Sequence, residues 1–300
     1  MTFGIIGLGK MGSAIAQRVF SAGYAVIGYD PNEQTRATVH AEGITIVDTA
    51  AQVVRDARVI WLMVPAGAVV DAVIAELTPH LREGDILIDG GNSLFTDSAR
   101  RASELAAKNI IFLDCGTSGG VHGREYGFSL MVGGNKAAYE KIYDVLKAIA
   151  APDGVGHVGP SGAGHYVKMV HNGIEYGLLQ AYGEGLELLR EGSFKDTNLD
   201  LPEITRIWNH GAVIRSFILE LTHDIVTRDP ALRDVSGEVG ELGTGRWAAD
   251  DANTHNVPMP VLDAALHARE QSRLTGGTYA TKIVAMLRNA FGGHVVKRLK

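Results

Sequence analysis

Six residues near the start of the chain, Gly7-Leu8-Gly9-Lys10-Met11-Gly12, follow directly on the apolar run Phe3 to Ile6 and open a helical pattern from Met11 to Ala22. A G-x-G-x-x-G run placed between a strand and a helix is a phosphate-binding turn. The first glycine permits the reversal, the second lets backbone approach a pyrophosphate, and the third lets helix pack on strand, while the helix start offers its amides to the anion. Apolar runs then recur at Ala25 to Tyr29, Ile44 to Val47, Val59 to Val64, Ile86 to Asp89 and Ile110 to Asp114, with helical patterns between them. That alternation demands a mostly parallel sheet covered by helices.

The second strand ends at Tyr29-Asp30. An acidic residue there accepts bonds from the adenosine ribose hydroxyls and repels the extra phosphate of NADP, which favours NAD. The alternative is that Asp30 starts a turn with Pro31 and Asn32, and that Arg36 serves a phosphate. The fourth strand runs into Val64, Pro65 and Ala66 at the sheet edge where doubly wound folds bind ligands, so this loop is expected to line the cofactor, with a plain turn as the bland reading.

A helical pattern from Lys136 to Ile149 and a short strand-like run from Val155 to Val158 precede a change of grain at the glycine-rich Gly154 to Gly164. Beyond it nearly everything has helical periodicity, beginning with a segment of about thirty residues that ends near Gly192. The expected architecture is a Rossmann-type doubly wound α/β domain over 1–161, followed by an all-α domain over 162–300 built on a long central helix. A formal net charge of −6 gives no basic field for nucleic acid or an anionic membrane, and the Lys297 to Lys300 tail is too short to change that. The single cysteine, Cys115, excludes an internal disulfide and points to a reducing compartment. The phosphate loop begins so early that no leader is expected, and no apolar run is long enough for a bilayer, so the chain reads as soluble and cytoplasmic. No two histidines have zincin-like spacing, and no metal site is expected.

In Lys168 to Gly177, KMVHNGIEYG, the residues Lys168, His171, Asn172 and Glu175 stand at relative positions zero, three, four and seven, one continuous face of a helix. The apolar Met169, Val170, Ile174 and Leu178 and several glycines suggest a segment packed inside the protein. A base and an acid two turns apart suit proton transfer; a solvated lysine and glutamate stripe is the other reading of the segment alone.

Together GLGKMG, GGNS at 90–93, SGG with YGFSLMVGG at 118–134, and GAGHYVKMVHNGIEYG at 162–177 resemble decarboxylating 6-phosphogluconate dehydrogenase. GTGRW at 243–247, the Ala268-Arg269 pair and RNAFGGH at 288–294 match later family motifs, and the chain's length is similar to the short bacterial form. The resemblance implies oxidation of 6-phosphogluconate at carbon 3, loss of the carbon 1 carboxylate as carbon dioxide and protonation of the enediol to ribulose 5-phosphate. Lys168 matches the general base and Glu175 the acid. Asn92, which also faces the cofactor, and Ser118, Gly119 and Gly120 match positions that hold the substrate carboxylate and hydroxyls. His171 and Asn172 match hydrogen-bonding residues. The phosphate would fall to Tyr176, Arg246, Arg269 and Arg288, because a dianion wants forked guanidinium donors. Arg246 stands where the family usually has lysine. Arg288 and His294 resemble tail residues that, in the family, reach a neighbouring subunit, which implies a homodimer or homotetramer.

The rival reading is a non-decarboxylating β-hydroxyacid dehydrogenase such as one acting on 3-hydroxyisobutyrate, which shares the fingerprint and the helix lysine. Such an enzyme needs neither an acid at Glu175 nor a ring of arginines. A protein that senses the dinucleotide without turnover is the reading from a different class, since a fold alone never establishes chemistry.

Overall fold

The computed structural model describes residues 1–241 and 243–299. The chain divides into two compact units, Met1–Met169 and Val170–Lys300.

In the first unit the strands are β1 (Thr2–Ile6), β2 (Ala25–Tyr29), β3 (Thr45–Ile46), β4 (Val59–Leu62), β5 (Ile86–Asp89), β6 (Ile111–Ser118), β7 (Phe128–Gly134) and β8 (Ala150–Gly159). They form one sheet in the order β3-β2-β1-β4-β5-β6-β7-β8. Every neighbouring pair is parallel except β6 with β7. The order reverses between β1 and β4, so the loops after these two strands open at a topological switch point, the crevice where such sheets take ligands. Because side chains alternate across a strand, Trp61 and Ile88 enter the apolar layer on one face while Ile60, Leu62 and Leu87 enter the layer on the other. Burial on both faces explains why VIWL and ILID read as continuous apolar runs.

The helices of this unit are α1 (Lys10–Ser21), α2 (Glu33–Ala41), α3 (Ala50–Asp56), α4 (Ala68–Leu77), α5 (Phe95–Ala106), α6 (Gly123–Tyr126), α7 (Lys136–Lys141) and α8 (Tyr143–Ile149). Local chemistry sets their starts. Asn32 accepts from Thr35 N ahead of α2, and Thr49 with Gln52 forms a capping box ahead of α3. The doubly wound fold is the one expected from sequence, with differences in detail. The helix expected from Lys136 to Ile149 is two pieces broken at Ile142, β8 is longer than Val155 to Val158, and the antiparallel β7 lies inside the sheet. β3 shrinks to two residues because it pairs with β2 alone at the sheet edge.

The long helix α9 runs Ala163–Glu191. The second unit continues with α10 (Leu201–Asn209), α11 (Phe217–Arg228), α12 (Thr244–Thr254), α13 (Pro260–Thr275) and α14 (Tyr279–Gly292). Leu179 and Leu186 of α9 meet Leu221, Ile225 and Val226 of α11 and Ile283, Val284 and Leu287 of α14 in one core. Helix α9 is not enclosed all round: Met169 is buried, but Ile174 is 59% and Leu178 46% exposed. The expectation of an enclosed segment is corrected on that side, because spacing four residues apart sets both apolar side chains on the same outward stripe. Among the described residues no helix is long and apolar enough to cross a membrane.

Candidate active site

The fingerprint turn has the geometry a pyrophosphate requires. Gly7 holds φ +92° as the chain leaves β1, and a Cβ on Gly12 would fall on the Gly7 carbonyl oxygen. At Gly9, by contrast, a Cβ would meet no atom within 4 Å, and no side chain caps the start of α1. The backbone of Leu8 through Gly12 thus fits a dinucleotide's phosphates closely approaching the helix start. Asp30, at the end of β2, accepts from Leu8 N at 2.8 Å and from Asn32 N at 2.9 Å, so its carboxylate is tied to the turn. The structure thus shows Asp30 in the turn, the second of the two readings of this residue. Arg36 donates to the carbonyls of Asp30 and Pro31 and lies over the Tyr29 ring. Pro65 and Ala66 are exposed in the loop after β4, with Val64 half-buried.

The lysine is placed by β6. The buried carboxylate of Asp114 accepts from Gly162 N at 2.7 Å and His165 N at 2.9 Å, capping the start of α9. A Cβ on Gly116 would fall on Lys168 Cβ, and one on Gly164 would fall on the Met131 carbonyl oxygen, so helix and sheet touch backbone to backbone. His165 is fixed by Ser98, Nδ1 to Oγ at 2.7 Å. Lys168 is consequently 9% exposed, with its stem locked against β6. Ser118, Gly119 and Gly120 lie at the far end of the same strand, where φ of +141° at Gly119 turns the chain. Asn92 is exposed between the half-buried Gly91 and the buried Ser93.

In the second unit α9 presents His171, Asn172, Glu175 and Tyr176. His171 Nδ1 lies 3.0 Å from Asn172 Oδ1, and Asn172 Nδ2 donates to Thr244 Oγ1 at 3.3 Å. The Arg269 guanidinium stacks 3.3 Å over the Tyr176 ring. Arg269 is 1% exposed, and among the described residues neither of its terminal nitrogens has a hydrogen-bond partner. Burial pulls its pKa down to about 10. Burial also lowers the pKa of Arg288, against the opposing influence of Tyr176, Glu175 and Glu241. Two buried guanidinium groups thus lie near one tyrosine, with the carboxylates of Glu175 and Glu241 acting on both. Arg246 is 48% exposed and 3.7 Å from Glu241, whose carboxylate also acts on Arg269 and Arg288. His294 folds back on its own helix end, its ring against Phe291 and its carbonyl accepting from Asn289. Arg288 is buried within its own chain, near Tyr176 and Arg269.

Residues 2–166 match the model of the NAD binding domain of 6-phosphogluconate dehydrogenase, and residues 164–285 match that of the 6-phosphogluconate dehydrogenase C-terminal domain. The chain belongs to this family. It is 46% identical over 303 residues to the NAD(+)-dependent, decarboxylating 6-phosphogluconate dehydrogenase of Haloferax volcanii, covering 99% of each protein. Among solved structures it is similar to Plasmodium falciparum 6-phosphogluconate dehydrogenase, known with its cofactor NADP+ and its substrate. That likeness has a TM-score of 0.84 and 32% identity over 91% of this chain and 62% of that one, so the Plasmodium protein is considerably longer. The 3-hydroxyisobutyrate dehydrogenase of Salmonella typhimurium shares the fold, with a TM-score of 0.78 and 23% identity over 95% of this chain and 99% of that one. The rival reading is thereby a distant relation.

For a 6-phosphogluconate dehydrogenase chain, several residues in these clusters escape a sequence reading. Gly116 and Gly164 look like ordinary strand and helix glycines until the lysine's stem is seen against them. Asp114 and Asp89 end buried strands, and that is a usable signal, since a carboxylate closing an apolar run must find partners. Glu241 and Gly245, the latter directly against the Tyr176 ring, carry no local pattern.

Proposed function

We propose that this chain oxidises 6-phosphogluconate, releasing carbon dioxide and ribulose 5-phosphate, with NAD preferred as hydride acceptor. The observation that carries the reading is Arg269, a buried guanidinium near Arg288, stacked on Tyr176, whose terminal nitrogens have no hydrogen-bond partner among the described residues. Two guanidinium groups so placed suit a dianion, and a phosphorylated sugar acid supplies one where a short hydroxy acid does not. When bound, the nicotinamide accepts the hydride from carbon 3. Lys168, desolvated against Gly116, takes the hydroxyl proton and, as the ammonium, donates to the new carbonyl oxygen while the carbon 1 carboxylate leaves. Electrons from the broken carbon–carbon bond flow to that oxygen and leave an enediol. Glu175, about 10 Å further along α9 at Cα, delivers a proton to substrate carbon 2, which becomes carbon 1 of ribulose 5-phosphate. In the first unit, Ser118, Gly119, Gly120 and Asn92 hold the carboxylate and hydroxyls; in the second, His171 and Asn172 bond the sugar while Tyr176, Arg269 and Arg288 hold the phosphate, with Arg246 and His294 at its margin.

Asp30, held at Leu8 N, supports the preference for NAD, and the Haloferax volcanii relative is itself NAD(+)-dependent. Self-association as a homodimer or homotetramer is supported by the apolar surface of the helical unit, where Ile174 and Leu178 are joined by Val213, Ile214 and Phe217 among the exposed side chains. The decisive experiment supplies 6-phosphogluconate with NAD or NADP and follows reduced nicotinamide and carbon dioxide together. Equal yields of both, with the higher kcat/KM for NAD, are expected. Reduction without carbon dioxide, or no turnover with either cofactor, refutes the reading.

A further inference from the structure

Arg101 is 1% exposed and Asp89 fully buried, although both belong to stretches that look unremarkable in sequence. The Arg101 side chain has five N–H donors, and the structure gives all five an acceptor. Nε donates to Asp71 Oδ1 at 2.8 Å, and Nη2 to Asp71 Oδ2 at 3.1 Å and to the Gly67 carbonyl at 3.0 Å. Nη1 reaches Ser93 Oγ at 3.3 Å and Asp89 Oδ2 at 3.4 Å. Asp89 in turn accepts from Ser93 Oγ at 2.7 Å and from Gly91 N at 3.1 Å. One guanidinium on α5 therefore grips the end of the loop 64–67, and through Asp89 and Ser93 it grips both neighbours of Asn92.

We propose that Arg101, acting through Asp89 and Ser93, is a positioning residue for hydride transfer: it fixes the Asn92 loop and the 64–67 loop in a single register. This rests on the reading, argued above, that these two loops face substrate and cofactor. Arg101 touches neither ligand; its effect is on the distance between the reacting atoms, to which rate is steeply sensitive. A lysine in its place has three donors and no planar fork, and cannot hold both loops at once. Exposure of Arg100, one residue away, shows that the run carries a surface arginine and a buried one side by side.

The test uses Arg101→Lys and the milder Ser93→Ala, which removes only the hydroxyl between Arg101 and Asp89, with 6-phosphogluconate carrying deuterium or hydrogen at carbon 3. Expected are a fall in kcat on the order of 10²-fold for Arg101→Lys and about 10-fold for Ser93→Ala, with NAD still binding in a titration without substrate. The deuterium isotope effect on kcat should rise in both, because hydride transfer becomes the slower step. A merely structural role would lower the yield of folded protein or its melting temperature, while kcat per folded molecule and the isotope effect stayed at wild-type values. That result in Ser93→Ala overturns the proposal even if Arg101→Lys fails to fold. Asn92→Ala separates the two layers of the argument. If it leaves kcat unchanged, the loop reading fails and the proposal with it; if it lowers kcat while Ser93→Ala and Arg101→Lys do not, the positioning role alone fails.

Discussion

Arg269 and Tyr176 face each other at 3.3 Å, guanidinium over ring, with both terminal nitrogens of the arginine buried and, among the described residues, without a hydrogen-bond partner. The arrangement costs stability in the ligand-free chain. Folding moves the Arg269 pKa from its ordinary value down to about 10, so the charged form is disfavoured in the folded chain and the cost is present at every pH below about 10. It fades as pH rises above about 10 toward the ordinary arginine range, where the folded-state group has lost its proton. Arg269→Met should therefore raise the melting temperature of the ligand-free protein at neutral pH by a few degrees, the stacking loss offsetting part of a gain of roughly 3 kcal/mol. The same variant should lose at least about 10²-fold in kcat/KM for 6-phosphogluconate, as the phosphate forfeits a desolvated donor. Calorimetry and steady-state kinetics on one preparation check both signs.

Gly116→Ala should act on the lysine without touching it chemically. The added methyl would occupy the place of Lys168 Cβ, pushing the start of α9 off β6. A displacement near 1 Å is enough to lower kcat about 10²-fold. NAD affinity, set by the turn after β1, should be unaffected in a fluorescence titration; a parallel loss of NAD binding would mean that the strand, not the lysine, had been disturbed.

Asp30→Asn keeps an acceptor for Leu8 N while removing the charge. Discrimination should shrink from both sides, kcat/KM falling for NAD and rising for NADP, by about 10-fold each on the scale of a charged hydrogen bond. Arg36, already anchored on the Asp30 backbone carbonyl, becomes the residue able to meet the additional phosphate. An unchanged ratio of the two cofactors in steady-state assays would remove Asp30 from the ribose site.

Asp71 gives a stability signal at acid pH. Its hydrogen bond to Arg101, foremost, holds its pKa at about 2 rather than 3.8. A carboxyl with a lowered folded-state pKa contributes stability that is complete above about pH 4 and disappears as pH falls through about 2. Because the side chain is 40% exposed, solvent screening limits the contribution to roughly 1 kcal/mol. Urea unfolding of Asp71→Asn should show that deficit at pH 6 and a closing gap with wild type between about pH 4 and 2.

Fold class and reaction were legible before any coordinates. The glycine fingerprint, the alternation of apolar runs with helical patterns, and the spacing of Lys168 from Glu175 are all local, and local patterns dictate turn, strand and helix because they act on neighbouring backbone. So the doubly wound sheet, the NAD-binding turn and the long α9 followed from the residues, and the family matches agree. What the sequence could not determine depends on atoms far apart along the chain. Only the folded structure shows Gly116 against Lys168, fifty-two positions later, Asp114 capping α9, or Arg101 buried while Arg100 is exposed. It also decided which arginines are brought together: Arg269 and Arg288 are buried near Tyr176, while Arg246 lies at the surface near Glu241. Burial and partnership are properties of packing, and an arginine's charge reads the same in sequence whether water surrounds it or a tyrosine ring does.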